Sequence, residues 1–349
     1  MASVTTNYGF DVPTSSDLVK NGATQIALLG QDLDTFLFRP FTKNVLINGG
    51  FDIWQRSTST SGNGYTCTDR FYVYGSGTST FSRESSVVPT GFQYSFKHLA
   101  GATTSSSLAQ VIETSNAAGY AGQTVTLSMY ASATTATTMS LQLAYSTGTD
   151  TGIGGSWTDI TATGAATFAA GTAGAFTRGS AIFAVPSTAK SLRVTLAVSG
   201  NIANTVAVYY AGAQLEIGSQ VSPFTRAGGT IQGELAACQR YYYKTYRQTN
   251  AVPTVTAEGN QDYAIGSDGG GNALQTFRFP VVMRGNPTIT AYRQDGTSGS
   301  WNYNRSGASG TGSITVDTFS DSAIRFYLPV GANYTVVQVY GHLVASAEL

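Results

Sequence analysis

Charge is what this sequence has least of. Of its 349 residues only 11% are Asp, Glu, Lys or Arg, and 19 acidic residues cancel 19 basic ones. A soluble domain ordinarily carries about twice that share. With no basic run and no net charge, the chain is not built to track a phosphate backbone, and no nucleic-acid partner is expected. Cysteine and histidine each occur twice. Cys67 and Cys238 fall in regions that read as different domains, so two free buried thiols are expected rather than a disulfide or, with so few histidines, a zinc site. No run of eighteen apolar residues occurs, so no membrane-spanning helix is expected. The opening MASVTTNYGF has neither a basic n-region nor an apolar stretch, so no secretory leader is expected. There is no GxSxG, HExxH, phosphate loop or CxxC, and the Gly-rich stretches at 75–80 and 266–272 open no helical pattern. The expectation is a protein that is not an enzyme and needs no cofactor or metal.

What the sequence does hold is glycine and evenly spread apolar residues. Forty glycines sit among abundant Ser, Thr and Ala, yet 42% of residues are apolar and 11% aromatic. A low-complexity linker lacks such aromatics, whereas short strands joined by small-residue turns use both. The expected class is all-β, with length enough for two or three cores.

Residues 1–40 read as an N-terminal arm and helix. Val19, Ile26 and Leu33 fall seven apart, with Gly22, Leu29 and Phe36 in the second seam position. A seam this narrow suits identical helices associating, which makes Val19, Ile26, Leu29, Leu33 and Phe36 the oligomerisation candidates. The same spacing would serve a helix packed on its own β-domain. Residues 41–226 hold eight to ten strand candidates. QTVTLSMYAS points Val125, Leu127 and Met129 one way, and TMSLQLAYS does the same with Met139, Leu141 and Leu143. Such strands predict a β-sandwich, with the jelly roll as its form. Residues 227–349 open with one or two helical turns placing Ile231, Leu235 and Cys238 on one face. Six or seven strand candidates follow and make a C-terminal β-domain, in which 298–313, SGSWNYNRSGASGTGS, reads as a polar loop.

Several phrases resemble a known family. NVLINGGFDIWQR (44–56) with TDRFYVY (68–74), and AQLEIGSQVSPFTR (213–226) followed by ELAACQRYYYKTY (234–246), are similar to phrases of tail-fibre and related appendage proteins of bacteriophages. TNYGFDVPTSSDLVKNGATQIALLGQDLDTFLF (6–38) resembles the segment that joins such proteins to a virion, and the final SAEL is an ending the family often shows. AGQTVTLSMYAS with VAVYYAGAQLE looks like the carbohydrate-binding-module type of jelly roll. The resemblance implies a short homotrimeric fibre of the virion, made in the host cytoplasm. Its N-terminal segment would attach to another virion protein, and its β-domains would meet a host cell-surface polysaccharide. No long shaft is present, which suits a neck, collar or head fibre as well as a tail fibre.

Sugars are held by aromatic faces against C–H patches and by polar side chains on hydroxyls. Trp301, Asn302, Tyr303 and Arg305, with Tyr292 and Arg293 close by in sequence, are the ligand-binding candidates of the C-terminal β-domain. The alternative is that Trp301 and Tyr303 cap that domain's own core. Trp54 and Trp157 are assigned to the jelly-roll core or rim, with Trp157 and Asp159 the candidates should that domain hold a sugar. His98 and His342 read as structural. A capsule depolymerase would need two carboxylates facing each other across a groove, and the acidic residues here are scattered. A secreted carbohydrate-binding protein, the other alternative, would be expected to carry a leader.

Overall fold

The protein is described by a computed structural model over residues 3–4, 11–12, 21–38, 44–75, 78–172, 174–305, 308–331 and 334–349. The first half builds ten main strands: β1 (Tyr72–Gly75), β2 (Ser79–Glu84), β3 (Ser95–Ala100), β4 (Ser106–Ile112), β5 (Thr124–Ala133), β6 (Thr138–Ser146), β7 (Thr158–Ile160), β8 (Thr177–Ala184), β9 (Ser191–Val198) and β10 (Ala207–Ile217). They form two antiparallel sheets, one ordered β7-β6-β9-β4-β1 and the other β8-β5-β10-β3-β2, with shorter pieces at their margins. Alternation decides which side chains meet between them. Val125, Leu127 and Met129 of β5 and Met139, Leu141 and Leu143 of β6 are all buried, as are Leu192, Val194 and Leu196 of β9. Each such side chain contributes about 1.5–3 kcal/mol of burial, which is what holds two sheets face to face. The all-β, jelly-roll sandwich is what forms.

The second half opens with a helix and continues in strands. Two α-helices precede it, α1 (Gly22–Phe38) near the N-terminus and the short α2 (Thr114–Ala117), which runs on into the 3-10 turn Ala118–Tyr120 after β4, so this helix is α3 (Ile231–Gln239). The Thr230 hydroxyl caps it by accepting from the Gly233 amide at 3.1 Å. Its buried face is Glu234 and Cys238, whereas Ile231 is 42% exposed, so the expected Ile231–Leu235–Cys238 face is rotated. Glu234 wins the inner position because its carboxylate accepts backbone N–H bonds there. The strands are β11 (Tyr242–Lys244), β12 (Gln261–Ile265), β13 (Asn272–Arg278), β14 (Thr288–Tyr292), β15 (Ser300–Arg305), β16 (Ala308–Ser313), β17 (Thr315–Phe319), β18 (Ala323–Pro329) and β19 (Val337–Ser346). β19 pairs with β11, β12, β14 and β15, while β13, β18 and β17 make a separate sheet. Trp301, Phe326, Leu328, Val339 and Leu343 fill the core between them.

The stretch 298–313 corrects the expectation of a loop. It is the hairpin β15–β16, in register from Ser300 opposite Ser313 to Arg305 opposite Ala308. Trp301 and Tyr303 are two apart, so one face of the strand turns to the core and the Gly/Ser composition hides an ordinary period of two.

α1 spans much of the seam. Ile26 is 66% exposed and Leu33 41%, and the helix packs on the strand Asp11–Val12. Val19 and the side chain of Phe36 lie outside the described residues.

The family-like phrases within 44–74 and 213–246, with the final SAEL, converge on one place, the joint between the two halves. Asn48 donates its backbone N–H to buried Glu234, whose other oxygen accepts from the Gly228 amide at 2.7 Å. Gln55 donates to the Tyr242 carbonyl at 2.9 Å and to Asp69 at 2.6 Å. The Arg56 and Arg70 guanidinium groups lie 3.7 and 3.4 Å over the rings of Tyr242 and Tyr241. Both arginines pair with Glu348 of the final SAEL. In the reverse sense, Arg240 of the second half pairs with Glu113 of the first at 3.0 Å. Gly49 backs onto β10 so closely that a Cβ there would lie 2.1 Å from the Ala213 carbonyl oxygen. That contact requires glycine in the phrase NGGF.

Candidate functional site

The C-terminal candidates do not form an open site. Trp301 has no exposure: its Nε1 donates to the His342 carbonyl at 2.9 Å and its ring meets Phe326 edge-on at 5.0 Å. Gly341 makes room for it, since a Cβ there would stand 2.4 Å from the indole. A ring so enclosed cannot stack on a ligand, and Trp301 is a core residue. Tyr303 packs against the same core, and Arg305 donates to the Val330 carbonyl between the rings of Tyr303 and Tyr334. Half-buried Asn302 points to the opposite side of β15 from Trp301 and Tyr303. Tyr292 stacks edge-on with Tyr246, and Arg293 is held by Asp295 and Thr297.

The two histidines are likewise internal. His98 is fully buried between the hydroxyls of Ser79 at 3.0 Å and Ser106 at 2.6 Å, and burial pushes its pKa down to about 4. His342 stacks on Tyr246 with ring centroids 3.8 Å apart and donates from Nε2 to the Thr256 carbonyl. Burial lowers its pKa, against the opposing pull of that hydrogen bond. Trp54 is a core residue, its Nε1 donating to the Phe51 carbonyl at 2.6 Å.

Side chains that do share an open face lie on the outer side of the sheet β7-β6-β9-β4-β1. The register fixes three rows. Tyr74, Ser107, Ala197 and Ser140 stand side by side, then Tyr72, Ala109, Thr195 and Gln142, then Val111, Arg193, Ala144 and Asp159. The third row is covered at its Val111 end, where Val111 has no exposure and Leu349 lies against both Tyr65 and Gly152; Ala109 and Ala144 are enclosed by their larger neighbours. Inward Val73, Val194 and the pair Leu141/Leu143 force their neighbours outward, which is why these residues share a face. Tyr72 and Gln142 are three strands apart, about 14 Å at ordinary strand spacing. Between them the floor is Ser, Ala and Thr, so the rims stand above a shallow trough.

One rim is aromatic. The Tyr72 and Tyr74 rings lie 4.4 Å apart and Tyr65 meets Tyr72 edge-on at 5.2 Å; Tyr74 is 37% exposed. Near the other side half-buried Trp157 is fixed by its Nε1 donating to the Gly152 carbonyl at 3.1 Å, with the Arg193 guanidinium 5.2 Å from its ring centre. Asp159 is 86% exposed and 4.0 Å from Arg193. Burial raises the Tyr74 pKa, with Tyr72 adding to the shift and Arg193 opposing it. At one end the trough deepens into a hollow of about 410 Å³ lined by Asn63, Tyr74, Ser107, Gln142, Thr195 and Ala197. Aromatic faces at the sides and neutral donors and acceptors at one end can grip a flat, hydroxyl-rich ring. Trp157 and Asp159 were legible candidates from sequence. Tyr72, Tyr74, Gln142 and Arg193 were missed, although the alternation of RFYVY carried the signal.

No family model matches the chain, and no curated protein matches it. Among solved structures it is similar to a family 61 carbohydrate-binding module in complex with β-1,4-galactotriose: 13% identity, TM-score 0.33, 50% of this chain and 97% of that one. It is also similar to the C-terminal family 22 carbohydrate-binding module of Clostridium thermocellum Xyn10B: 15% identity, TM-score 0.30, 43% of this chain and 88% of that one. A third is the enzymatically active domain of bacteriophage CBA120 tailspike protein 4: 14% identity, TM-score 0.33, 50% of this chain and 21% of that one.

Proposed function

We propose that this chain is a glycan-recognising, non-catalytic component of a bacteriophage virion appendage, with the trough on the β7-β6-β9-β4-β1 sheet as its binding face. The observation that carries the reading is the placement of Tyr72 and Tyr74 on one rim and Trp157 near the other, across a floor of small side chains. The virion half of the proposal is supported by the resemblance of the joint-forming phrases to the appendage family. Self-association, with a trimer as the proposed state, is supported by the exposure of Ile26 and Leu33 on α1. Three copies of a weak site on one particle raise avidity without a tight single contact. Cleavage is not part of the proposal, because the described carboxylate on this face is Asp159 and glycoside hydrolysis calls for two.

The test is binding of the full chain to an immobilised panel of bacterial capsular and lipopolysaccharide glycans, beside Tyr74→Ala and Trp157→Ala. Each substitution is expected to weaken binding about fivefold to tenfold, the value of one stacking contact. Binding that is indifferent to both substitutions removes the trough from the account. Incubation with a bound polysaccharide is expected to release no new reducing ends; their release would favour the depolymerase alternative.

A further inference from the structure

We propose that the trough selects anionic saccharides, taking the carboxylate of an acidic sugar such as a uronic acid on Arg193. This rests on the trough being the glycan face. Arginines at the joint are already spent: Arg56 and Arg70 on Glu348, Arg226 on Asp52 at 2.8 Å, Arg240 on Glu113 at 3.0 Å. Arg193 differs. It rises from β9, the middle strand of the sheet, with a side chain 26% exposed, and its Nε is buried without a hydrogen-bond partner. Its carboxylate neighbour, Asp159, stands at 4.0 Å and is 86% exposed, so that pair is long and screened by water. The guanidinium carbon lies 5.2 Å from the centre of the Trp157 ring, a cation–π contact. Because Nε is buried, a ligand meets this planar cation end-on at its two Nη groups, which suit a forked pair with a carboxylate.

The rest of the trough supplies what the other end of such a sugar needs. Thr195 is two residues along β9 from Arg193, about 7 Å at strand rise, and Gln142 pairs with it across to β6. A hexuronate bridging that distance places its carboxylate on Arg193 and its hydroxyls on Thr195 and Gln142, with a ring face toward Tyr72 or Tyr74. Arg193 is then a specificity residue, and the aromatic rim a general sugar platform.

The experiment uses the full chain and three polymers, polygalacturonate, alginate and hyaluronan, each beside its carboxyl-reduced form. At least one acidic polymer is expected to bind about tenfold or more tightly than its reduced counterpart, the scale of a charge-assisted hydrogen bond. The preference should shrink as salt rises. Arg193→Gln is expected to weaken binding to the acidic polymer about tenfold more than binding to its reduced form, and Arg193→Lys to keep part of the preference; melting temperatures of both variants verify the fold. Equal binding of acidic and reduced forms overturns the proposal, as does a preference that survives Arg193→Gln, or no binding to any acidic polymer. In those cases the trough reading still stands if binding to a neutral glycan is lost in Tyr74→Ala. If Tyr74→Ala changes no binding, both fall.

Discussion

His98 sits between two serine hydroxyls with no exposure, and burial holds its pKa near 4. An unfolded histidine titrates near 6.5. Between those values the unfolded chain binds a proton that the folded chain refuses, so stability falls as pH drops through that window. The full effect is roughly 3 kcal/mol at one pKa unit per 1.36 kcal/mol. Asp69 acts in the opposite sense: burial raises its carboxyl to about 6 against the pull of Arg56, so its contribution is lost as pH rises from about 4 to 6. Comparing His98→Gln with the parent isolates the histidine. The parent is expected to lose more melting temperature than the variant between pH 7 and 4.5, and parallel slopes would refute this. Trp301 and Trp157 make a second contrast. Trp301→Ala should cost about 3–5 kcal/mol as an emptied core site and leave glycan binding unchanged in the folded fraction. Trp157→Ala should do the reverse. The sequence presents both as aromatic residues in Gly-rich surroundings. What separates them is Gly341, which lets Trp301 sink fully, and that depends on a strand forty residues away.

Among the elements, the strands with clean alternation were legible because each carries its burial pattern within itself; β6 is the clearest case, whereas Thr126 and Ser128 of β5 are buried on its other face against Gly218 and Arg178. The hairpin β15–β16 was not, since Gly310 and Gly312 stand opposite Tyr303 and Trp301 on its inner face and carry no hydrophobic signal, and β19 supplies the pairing. The aromatic rim was hidden for a related reason. Tyr72 and Tyr74 alternate with buried Val73, but only the sheet order brings them across from Gln142 and Arg193. α1 keeps the five candidates Val19, Ile26, Leu29, Leu33 and Phe36 as a proposal. Light scattering of the full chain is expected to give a trimer mass, and Ile26→Asp with Leu33→Asp to reduce it. An unchanged mass in the double variant would move assembly to the β-domains, and a monomer in the parent would remove the fibre reading.

At the scale of the whole molecule, the two halves are joined by charges that cross in both directions. Glu348 reaches from the second half to Arg56 and Arg70, and Glu113 of the first receives Arg240. Glu348 is nearly buried, so Glu348→Gln takes the paired carboxylate from enclosed Arg70 and leaves Arg56 with Asp69 at 3.4 Å. Removing one partner of a buried pair costs about 3–5 kcal/mol, and chemical denaturation is expected to show a loss of that order; a change under about 1 kcal/mol would mean the joint is held by its apolar contacts instead. Most of the phrases that carry the family resemblance hold these residues, so what the sequence displayed most openly was the weld between the halves; one of them, TDRFYVY, also holds Tyr72 and Tyr74 of the proposed recognition face. The most direct measurement is a crystal structure of the chain with a saccharide identified by the glycan panel. The account predicts a sugar ring within about 4 Å of Tyr72 or Tyr74, a contact distance for apolar atoms, with its polar edge toward Gln142, Thr195 and Arg193. A sugar seated on β15–β16 or on any other surface, with the trough empty, would contradict it.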